Sequence, residues 1–371
     1  MSSSFWDLIT DAAFRINSAY SIFLAHYLQN NTFKGATKIQ YGFVGTLSVS
    51  CALLVAPCAT IFVRKCGTRP TMLSGSLLVS VSLICSSLST EIWQLFLCQG
   101  GLFGVGMGLL FLPSYGIVAQ WFSKRRALAN GIAIAGGGAG GLIYSLSSNA
   151  MIQNLGLPWA FRILSIVTFV ANTVSILLIR TRYEETGSRQ LAFDTSLLKR
   201  PEYILILAFG FLTHYANELG LDASQAAVIP ALLMLGQAIG RPLIGYLCDS
   251  IGSINITTLT TFLVGVLALT VWVNAKSYGV LIFFAIAEGL VAGVFWVTVG
   301  PIMADVIGLE SLPPGLTLLW LTLVLPTTFS EPIALQIVGR TGDYIGVQIF
   351  TGLVFVAAAL CIVSIVSQRL Y

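Results

Sequence analysis

The chain has 371 residues, of which 56% are hydrophobic and only 9% are charged, and its mean hydropathy is +0.88. Soluble domains carry roughly 25% charged residues, so this composition excludes a soluble fold and indicates a protein that crosses the membrane many times. The net charge of +4 lies mostly in a few short clusters, which argues against a nucleic-acid-binding surface.

Ten apolar runs are long enough to cross a bilayer as helices of about 20 residues. In chain order they cover residues 42–63, 70–89, 92–119, 127–150, 159–180, 223–247, 254–274, 278–303, 313–338 and 343–366. Two further apolar segments, 16–28 and 203–215, have thirteen residues each. Each of these extends about 20 Å and does not fill a hydrocarbon core of about 30 Å. With both included, the sequence predicts twelve spans, of which the first and the seventh are short.

The distribution of basic residues supports twelve spans. With that number, residues 64–69, 120–126 and 180–200 and the C-terminus face the same side and hold twelve of the 19 Lys and Arg residues. Because basic loops are retained in the cytoplasm, both termini are expected on the cytoplasmic side.

The longest polar stretch, RTRYEETGSRQLAFDTSLLKRPE, runs from residue 180 to residue 202 and separates six spans from six. It is typical of the linker in a transporter built from two six-helix halves. The sequence therefore predicts an N-terminal half over residues 1–182, a cytoplasmic linker over 183–200 and a C-terminal half over 201–371. An ordinary long loop in an unrelated channel is the alternative.

A glycine-rich run in the fifth predicted span has the spacing G-x-G-x-x-G of a dinucleotide-binding site, at Gly136, Gly138 and Gly141. Such a site needs a strand before the glycines and an acidic residue about 20 positions later, and both are missing here. No cofactor is therefore expected. Small residues four apart instead predict close helix packing, in the pairs Gly136–Gly140 and Gly137–Gly141 and in the series Gly100, Gly104 and Gly108.

The seven cysteines form no C-x-x-C pair, and no His lies at ligand spacing from them. They fall mostly in apolar runs, where Cys behaves as a small hydrophobic residue. Neither a metal site nor a disulfide is expected from this spacing.

Two segments carry a family resemblance. QWFSKRRALANGIAIAGGG, residues 120–138, resembles the motif that leads into the fifth span of monocarboxylate-porter-type transporters of the major facilitator superfamily. GRPLIGYLCDSIG, residues 240–252, resembles the superfamily's loop signature, and its Arg241 resembles the family's eighth-span arginine. Residues 30–45 and 325–335 resemble the fungal branch. The resemblance implies an all-α polytopic membrane protein with the major-facilitator fold, in the plasma membrane rather than the vacuolar membrane.

The sequence departs from this family at the expected substrate site. The first span has no acidic-Gly-Gly-Trp motif, the position of a first-span lysine falls near Asn17, and the aspartate four residues before the eighth-span arginine is replaced by Gln237. Lactate–proton symport as such is therefore not implied. The resemblance leaves a small organic anion of the monocarboxylate type or a related metabolite such as riboflavin as the substrate.

Ionisable residues inside spans cost about 2.5–3.5 kcal/mol on insertion scales, so they usually face a cavity or a partner. Arg241 can hold a carboxylate with its planar guanidinium, and Glu288 can carry a proton or pair with Arg241 when the site is empty. Together with Asn17 and Gln237 they form the predicted substrate site. An ion pair within the protein for Arg241 and a structural hydrogen bond for Glu288 are the alternatives. Glu331, before Pro332, is expected to support a kink.

Four charged residues are expected at the cytoplasmic ends of the spans. Lys124, Arg125 and Arg126 set the topology and contact lipid headgroups, or they close one face through salt bridges. Asp249 has a similar gating role from its signature position.

The leading hypothesis is a secondary transporter that works by alternating access, with the lipid bilayer, a small-molecule substrate and protons as its partners. No catalytic Ser/His/Asp set is apparent, so no enzyme activity is expected. The rival hypothesis is a non-transporting sensor or a degenerate paralogue. The two short spans have two interpretations that bear on this choice: broken helices at a binding site, or loss of sequence from cavity-lining helices.

Overall fold

The computed structural model describes residues 20–30, 33, 36–115, 117–122, 124–181, 193–219, 228–275, 277–341 and 343–370. Within these residues the chain is helical apart from short turns, and it contains no strand. Of the predicted site residues, Asn17 lies outside the described part of the chain.

Fifteen helices are numbered here in chain order. Those before residue 182 are α1 Tyr20–Asn30, α2 Lys38–Leu54, α3 Ala56–Cys66, α4 Thr68–Ser87, α5 Ile92–Tyr115, α6 Ile117–Trp121, α7 Arg126–Leu155 and α8 Leu157–Leu178. A 3₁₀ turn, Thr195–Lys199, precedes α9 Pro201–Leu219, α10 Val228–Ile251, α11 Ser253–Trp272, α12 Tyr278–Val291, α13 Val294–Ile307, α14 Leu312–Thr341 and α15 Ile345–Leu370. The described residues of each of the twelve predicted spans lie mainly in one helix or in a pair of consecutive helices.

Seven of the described helices or helix pairs are long and apolar enough to cross a membrane, or eight if the bent pair α2–α3 is counted as one span. This agrees with the all-helical, polytopic class predicted from composition. α9 is longer than its thirteen-residue apolar segment and extends beyond it at both ends. The described part of the first span begins at Tyr20.

Two spans are broken at residues that the structure describes. α2 and α3 meet at Val55 at an angle of 46°, with Pro57 in the first turn of α3. α12 and α13 are separated by Ala292 and Gly293, and Gly293 has a φ of +82°, in the left-handed region that favours glycine. The single predicted span 278–303 is therefore two helices. The break has a local sequence cause in Gly293, which ends one helix and allows the next to start.

The predicted glycine packing in the fourth span is confirmed. A Cβ added at Gly104 would meet the carbonyl of Ser48, one at Gly108 would meet the carbonyl of Ala52, and one at Gly100 would lie 2.8 Å from the Leu47 side chain. The three glycines thus allow α5 to lie directly on the backbone of α2. In α7, Gly136, Gly140 and Gly141 are buried. Their role in packing, together with that of Gly137, stays a prediction.

Gly104→Val is expected to lower the yield of folded protein sharply, because the new side chain would overlap the α2 backbone and overpacking costs about 1–3 kcal/mol or more. The matched control is Gly279→Val, also in a helix, where no atom lies within 4 Å of an added Cβ. Size-exclusion profiles of the two detergent-solubilised variants measure the difference. Equal yields of monodisperse protein would contradict the packing role of Gly104.

Helices from the two sequence halves pack lengthwise on each other. α7 lies along α10, where a Cβ at Gly245 would meet the carbonyl of Ala127. α2 and α3 lie along α14, where the hydroxyls of Ser50 and Thr328 are 2.8 Å apart and those of Thr60 and Thr317 are 3.0 Å apart. The contact between α7 and α10 brings candidate site residues of both halves together.

Candidate functional site

Arg241 lies near the middle of α10 and reaches across to α7. Its Nη1 donates a hydrogen bond to the Ile134 carbonyl over 2.8 Å, and its Nη2 donates to Gln237 Oε1 over 2.7 Å. The break between α12 and α13 leaves room for the guanidinium, because a Cβ at Gly293 would lie only 3.0 Å from Arg241 Nε. Hydrogen bonds to α7 and within α10 therefore hold this cation between the two halves of the chain, beside the break between α12 and α13.

Glu288 lies on α12, in a stretch where α12 packs directly on the backbone of α10. Gly289 packs on Gly236 there, so closely that an added Cβ would come within 3.0 Å of its backbone. The Glu288 side chain is 9% exposed, and its Oε2 has no hydrogen-bond partner among the described residues. A buried carboxyl oxygen without a partner is costly when charged, so this position favours protonation or a ligand contact.

The sequence-predicted substrate residues are thus partly brought together. Arg241 and Gln237 are hydrogen-bonded, and Glu288 lies on the helix that packs against theirs. Arg241 and Glu288 do not form the ion pair that the sequence allowed, since the one salt bridge recorded among the described residues joins other groups. The side chain of Glu331 lies outside the described part.

Asp249 lies at the end of the bundle where α10 ends and α7 begins, which we call the basic end because Lys124, Arg125 and Arg126 lie there. Its Oδ1 accepts the backbone N–H of Ala127 over 3.0 Å, and its Oδ2 accepts that of Leu128 over 2.8 Å. A helix leaves its first N–H groups unpaired and carries partial positive charge there. The carboxylate of one half therefore caps a helix of the other.

The predicted basic cluster contributes one ion pair at this end. Arg126 Nη1 lies 3.4 Å from Asp305 Oδ1 at the end of α13, and the two side chains are 21% and 50% exposed. Ion pairs with this exposure stabilise a contact by only about 0–1 kcal/mol. The Arg126–Asp305 pair therefore adds little to the stabilisation that the Asp249 cap provides. Lys124 and Arg125 are exposed, and no contact with α10 or α13 is described for either.

Two further polar contacts, missed by the sequence reasoning, join α13 to the first half. Asn130 Nδ2 donates to the carbonyls of Trp296 and Val297 over 3.0 and 2.7 Å, and the Tyr115 hydroxyl donates to Trp296. Pro301 explains why the Val297 carbonyl is available: it has no N–H, so this carbonyl, four residues earlier, has no helical partner. The sequence signal was Pro301 inside an apolar span.

Aromatic side chains pack around Trp296, next to the hydrogen bonds from Asn130 and Tyr115. Trp296 and Trp320 stack with centroids 5.7 Å apart, Tyr115 meets Trp320 edge-on at 5.2 Å, and Phe111 meets both tryptophans. Along α7, the contacts follow one another from the basic end inward: Asp249 at Ala127, then Asn130 with Trp296, then Arg241 at Ile134. The cluster therefore separates Arg241 from the basic end.

Arg241 thus lies between two groups of helices that contact each other at the basic end. Comparison with known proteins shows which family has this arrangement. The sequence profile of the Major Facilitator Superfamily matches residues 8–215 and again residues 202–369. The chain belongs to this superfamily. The two matched ranges together cover nearly the whole chain, so they include both groups of helices that carry the site.

Members of the superfamily in fungi resemble the chain over nearly its whole length. It is 28% identical over 365 residues to the probable transporter MCH2 of Saccharomyces cerevisiae, covering 93% of this chain and 77% of that protein. It is 30% identical over 379 residues to the uncharacterized transporter ESBP6 of the same yeast, covering 95% and 56%. It is 26% identical to the agnestins efflux protein AgnL12 of Paecilomyces divaricatus, covering 96% and 84%.

A solved structure confirms the fold of this superfamily member. The crystal structure of a variant of the Escherichia coli fucose:proton symporter FucP superposes with a TM-score of 0.75, at 13% identity, covering 97% of this chain and 98% of that one. The all-α polytopic class and the major-facilitator fold predicted from the sequence are therefore correct. The protein is a multi-pass membrane transporter of the superfamily.

Proposed function

We propose that the protein carries a small organic anion of the monocarboxylate type by alternating access, with Arg241 as the anion contact. The observation that supports this most is the position of the guanidinium, which lies between the halves and bonds the Ile134 carbonyl of α7 and Gln237 of α10. Both of these acceptors are neutral. A substrate carboxylate is a stronger acceptor for a guanidinium and can engage two of its N–H groups at once.

Binding at this position links the substrate to the conformational change. A carboxylate that takes over the Nη1 donor competes with Ile134, and so it replaces a contact that holds α7 to α10. Gln237 is one helical turn from Arg241 and orients the guanidinium through Nη2. Asn17, outside the described residues, is proposed to contribute from the first span.

Alternating access then requires the two halves, residues 1–182 and 201–371, to separate at the basic end. The contacts that would have to break are the Asp249 cap, the Arg126–Asp305 pair and the bonds from Asn130 and Tyr115 to α13. Lys124 and Arg125 would anchor this end to anionic lipid headgroups. We place the basic end in the cytoplasm and the protein in the plasma membrane.

Glu288 is proposed to carry the coupled proton, because it is buried and its Oε2 lacks a described partner. Glu288→Gln is expected to abolish accumulation driven by a pH gradient, while exchange of labelled for unlabelled substrate at equal pH continues at near the parental rate. Glutamine keeps the shape of the side chain but cannot release a proton.

Proteoliposomes with and without an imposed pH gradient make this measurement. Glu310→Gln, an exposed carboxylate between α13 and α14, is the matched control and should behave as the parent. Gradient-driven accumulation that survives Glu288→Gln would contradict the proton role.

The substrate class is tested by uptake of a panel of labelled compounds in a host that lacks its own carriers. Short monocarboxylates are expected to be transported, and riboflavin is the competing compound that the family resemblance leaves open. Because one relative is named an efflux protein, export from preloaded vesicles is measured in parallel. Surface expression with no movement of any carboxylate or flavin would favour a non-transporting paralogue.

A further inference from the structure

A cavity lies within the first half of the chain, at the end of the bundle opposite the basic end. Its volume is about 400 Å³, and it is lined by residues of α1, of the end of α4 and of the start of α8. α7 runs from Arg126 at the basic end to Leu155, and α8 begins directly after it, which places the cavity at the far end. Pockets for small molecules have volumes of about 300–1,000 Å³.

The lining combines aromatic rings with a group of hydroxyls. The rings are those of Tyr27, Phe33 and Phe161. They are held in place by their neighbours, since Tyr27 and Phe33 have centroids 5.7 Å apart and Phe23 stacks on Phe161 at 4.8 Å. The hydroxyls all come from the end of α4 and the turn after it, and they belong to Ser86, Ser87 and Ser89. The cavity therefore fits a molecule with an apolar body and one polar end.

The hydroxyls offer lone pairs rather than hydrogens. Each serine donates its one hydrogen to a carbonyl of α4, over 2.9, 2.7 and 3.1 Å for Ser86, Ser87 and Ser89. The Tyr27 hydroxyl donates to Gln99 Oε1 over 3.2 Å. Because a hydroxyl has one hydrogen and two lone pairs, a ligand at this wall has to bring its own hydrogen-bond donor.

The charges near the cavity favour a neutral donor. None of the described residues that line it is Asp, Glu, Lys or Arg. Arg162 lies beside it and donates its Nε to the Ser87 hydroxyl over 3.3 Å, so an ammonium group would meet a like charge. A carboxylate would bring only acceptors to the lone pairs of the serines. A neutral hydroxyl group is therefore the best match.

The surface around the cavity is apolar. Pro158 lines the cavity and is exposed. Leu88, Leu155 and Trp159, each next in sequence to a lining residue, are 64%, 53% and 56% exposed. Exposed apolar side chains at the ends of membrane spans contact lipid, and tryptophan is enriched at the level of the headgroups. A ligand that enters here comes from the bilayer, whereas a water-soluble sugar would have to cross this apolar surface.

We propose that the cavity binds a sterol-type lipid alcohol from the membrane. Its ring body lies against Tyr27, Phe33 and Phe161, and its hydroxyl donates to the serines at the end of α4. All lining residues belong to the first half, so the bound lipid ties α1 to α4 and α8 without joining the two halves. The site is thus independent of the substrate and of the proposed transport function.

Photolabelling of the full-length protein tests this proposal. The protein is reconstituted in phosphatidylcholine vesicles that contain a cholesterol analogue with a photoreactive diazirine and an alkyne. After illumination the adducts are quantified through the alkyne and located by mass spectrometry. Adducts are expected on peptides that carry α1, the end of α4 or the start of α8. An excess of unlabelled cholesterol should remove them, and an excess of glucose should not.

Two cavity variants and two controls make the outcome specific. Ser89→Trp, in the turn after α4, should fill the cavity and abolish these adducts, whereas Thr90→Trp, exposed and outside the lining, should not. Ser86→Ala removes one acceptor and should lower labelling about 2- to 10-fold. Ser74→Ala is its control, because Ser74 also donates to a carbonyl of α4 but does not line the cavity.

Monodisperse size-exclusion profiles establish that each variant is folded, and Ser86→Ala keeps the test decisive if Ser89→Trp is not. The proposal is overturned if the adducts lie only outside the three cavity segments, or if a folded Ser89→Trp and Ser86→Ala are both labelled like the parent. Removal of the adducts by glucose would also overturn it, because the site would then take a water-soluble polyol. No outcome depends on transport, so failure here leaves the proposed function untouched.

Discussion

Replacing Arg241 with alanine is expected to lower the uptake of the carboxylate substrate by about 30-fold or more. Loss of one partner from a buried, hydrogen-bonded charge contact costs about 2–5 kcal/mol, and every 1.4 kcal/mol is a factor of ten. Arg241→Lys should recover part of the loss, because lysine keeps the charge but lacks the planar fork. Initial uptake rates over a range of substrate concentrations, normalised to protein at the cell surface, give the comparison.

The control for this prediction is Arg162→Ala. Arg162 lies on α8, with its Nε 3.3 Å from the Ser87 hydroxyl and its guanidinium over the Trp159 ring at 5.2 Å. It is an arginine of the same half-buried class, away from the contact between the halves, and its removal should leave the KM for substrate unchanged. Parental KM and rate in Arg241→Ala would show that the guanidinium is structural and that the anion binds elsewhere.

Replacing Asp249 with alanine is expected to open the basic end. The substitution removes two charge-assisted bonds to the first turn of α7, which has no side-chain cap of its own from Arg125. Loss of the capping and helix-dipole stabilisation, about 1–2 kcal/mol, shifts the equilibrium between the closed and the open basic end by about 5- to 30-fold. The effect is larger than that of the exposed Arg126–Asp305 pair, which we expect to be small.

Opening can be followed by alkylation of a cysteine introduced by Thr60→Cys, since Thr60 contacts Thr317 between α3 and α14 at the same end. In vesicles that expose this end, a membrane-impermeant maleimide should label that residue faster by a similar factor in the Asp249→Ala background. Asp194→Ala is the matched control, because Asp194 caps the 3₁₀ turn in the linker and not a helix of the other half. An unchanged labelling rate at Thr60→Cys would refute the role of Asp249.

The spans were predictable because each depends on the length of one apolar run. The breaks within them were not assigned, although Pro57 and Gly293 mark them in the sequence. A single Gly or Pro in an apolar span is compatible with a straight, a kinked or an interrupted helix. The helices packed around it decide which form is taken, and here Arg241 occupies the space beside Gly293.

The candidate site was predictable only where a residue is unusual by itself. Arg241 and Glu288 are conspicuous because charge in an apolar span is costly. The hydrogen-bond partners in the site could not be predicted from the sequence, because the partners are far apart along the chain. Ile134 and Arg241 are 107 residues apart, and Asn130 and Val297 are 167 residues apart. Polar residues such as Tyr115 and Asn130 carry no signal of which carbonyl they bind until the helices are placed side by side.

The carbonyl released by Pro301 has a consequence for the energy of the transport cycle. Because the proline removes its helical partner in every conformation, the Val297 carbonyl accepts a bond from Asn130 when the basic end is closed, and it is available to water when that end is open. When the halves separate, the Val297 carbonyl therefore exchanges its hydrogen bond to Asn130 for one to water, and it is not left without a donor inside the membrane. Such an exchange keeps the two conformations close in free energy, and a carrier that must return after each cycle depends on that near-equality.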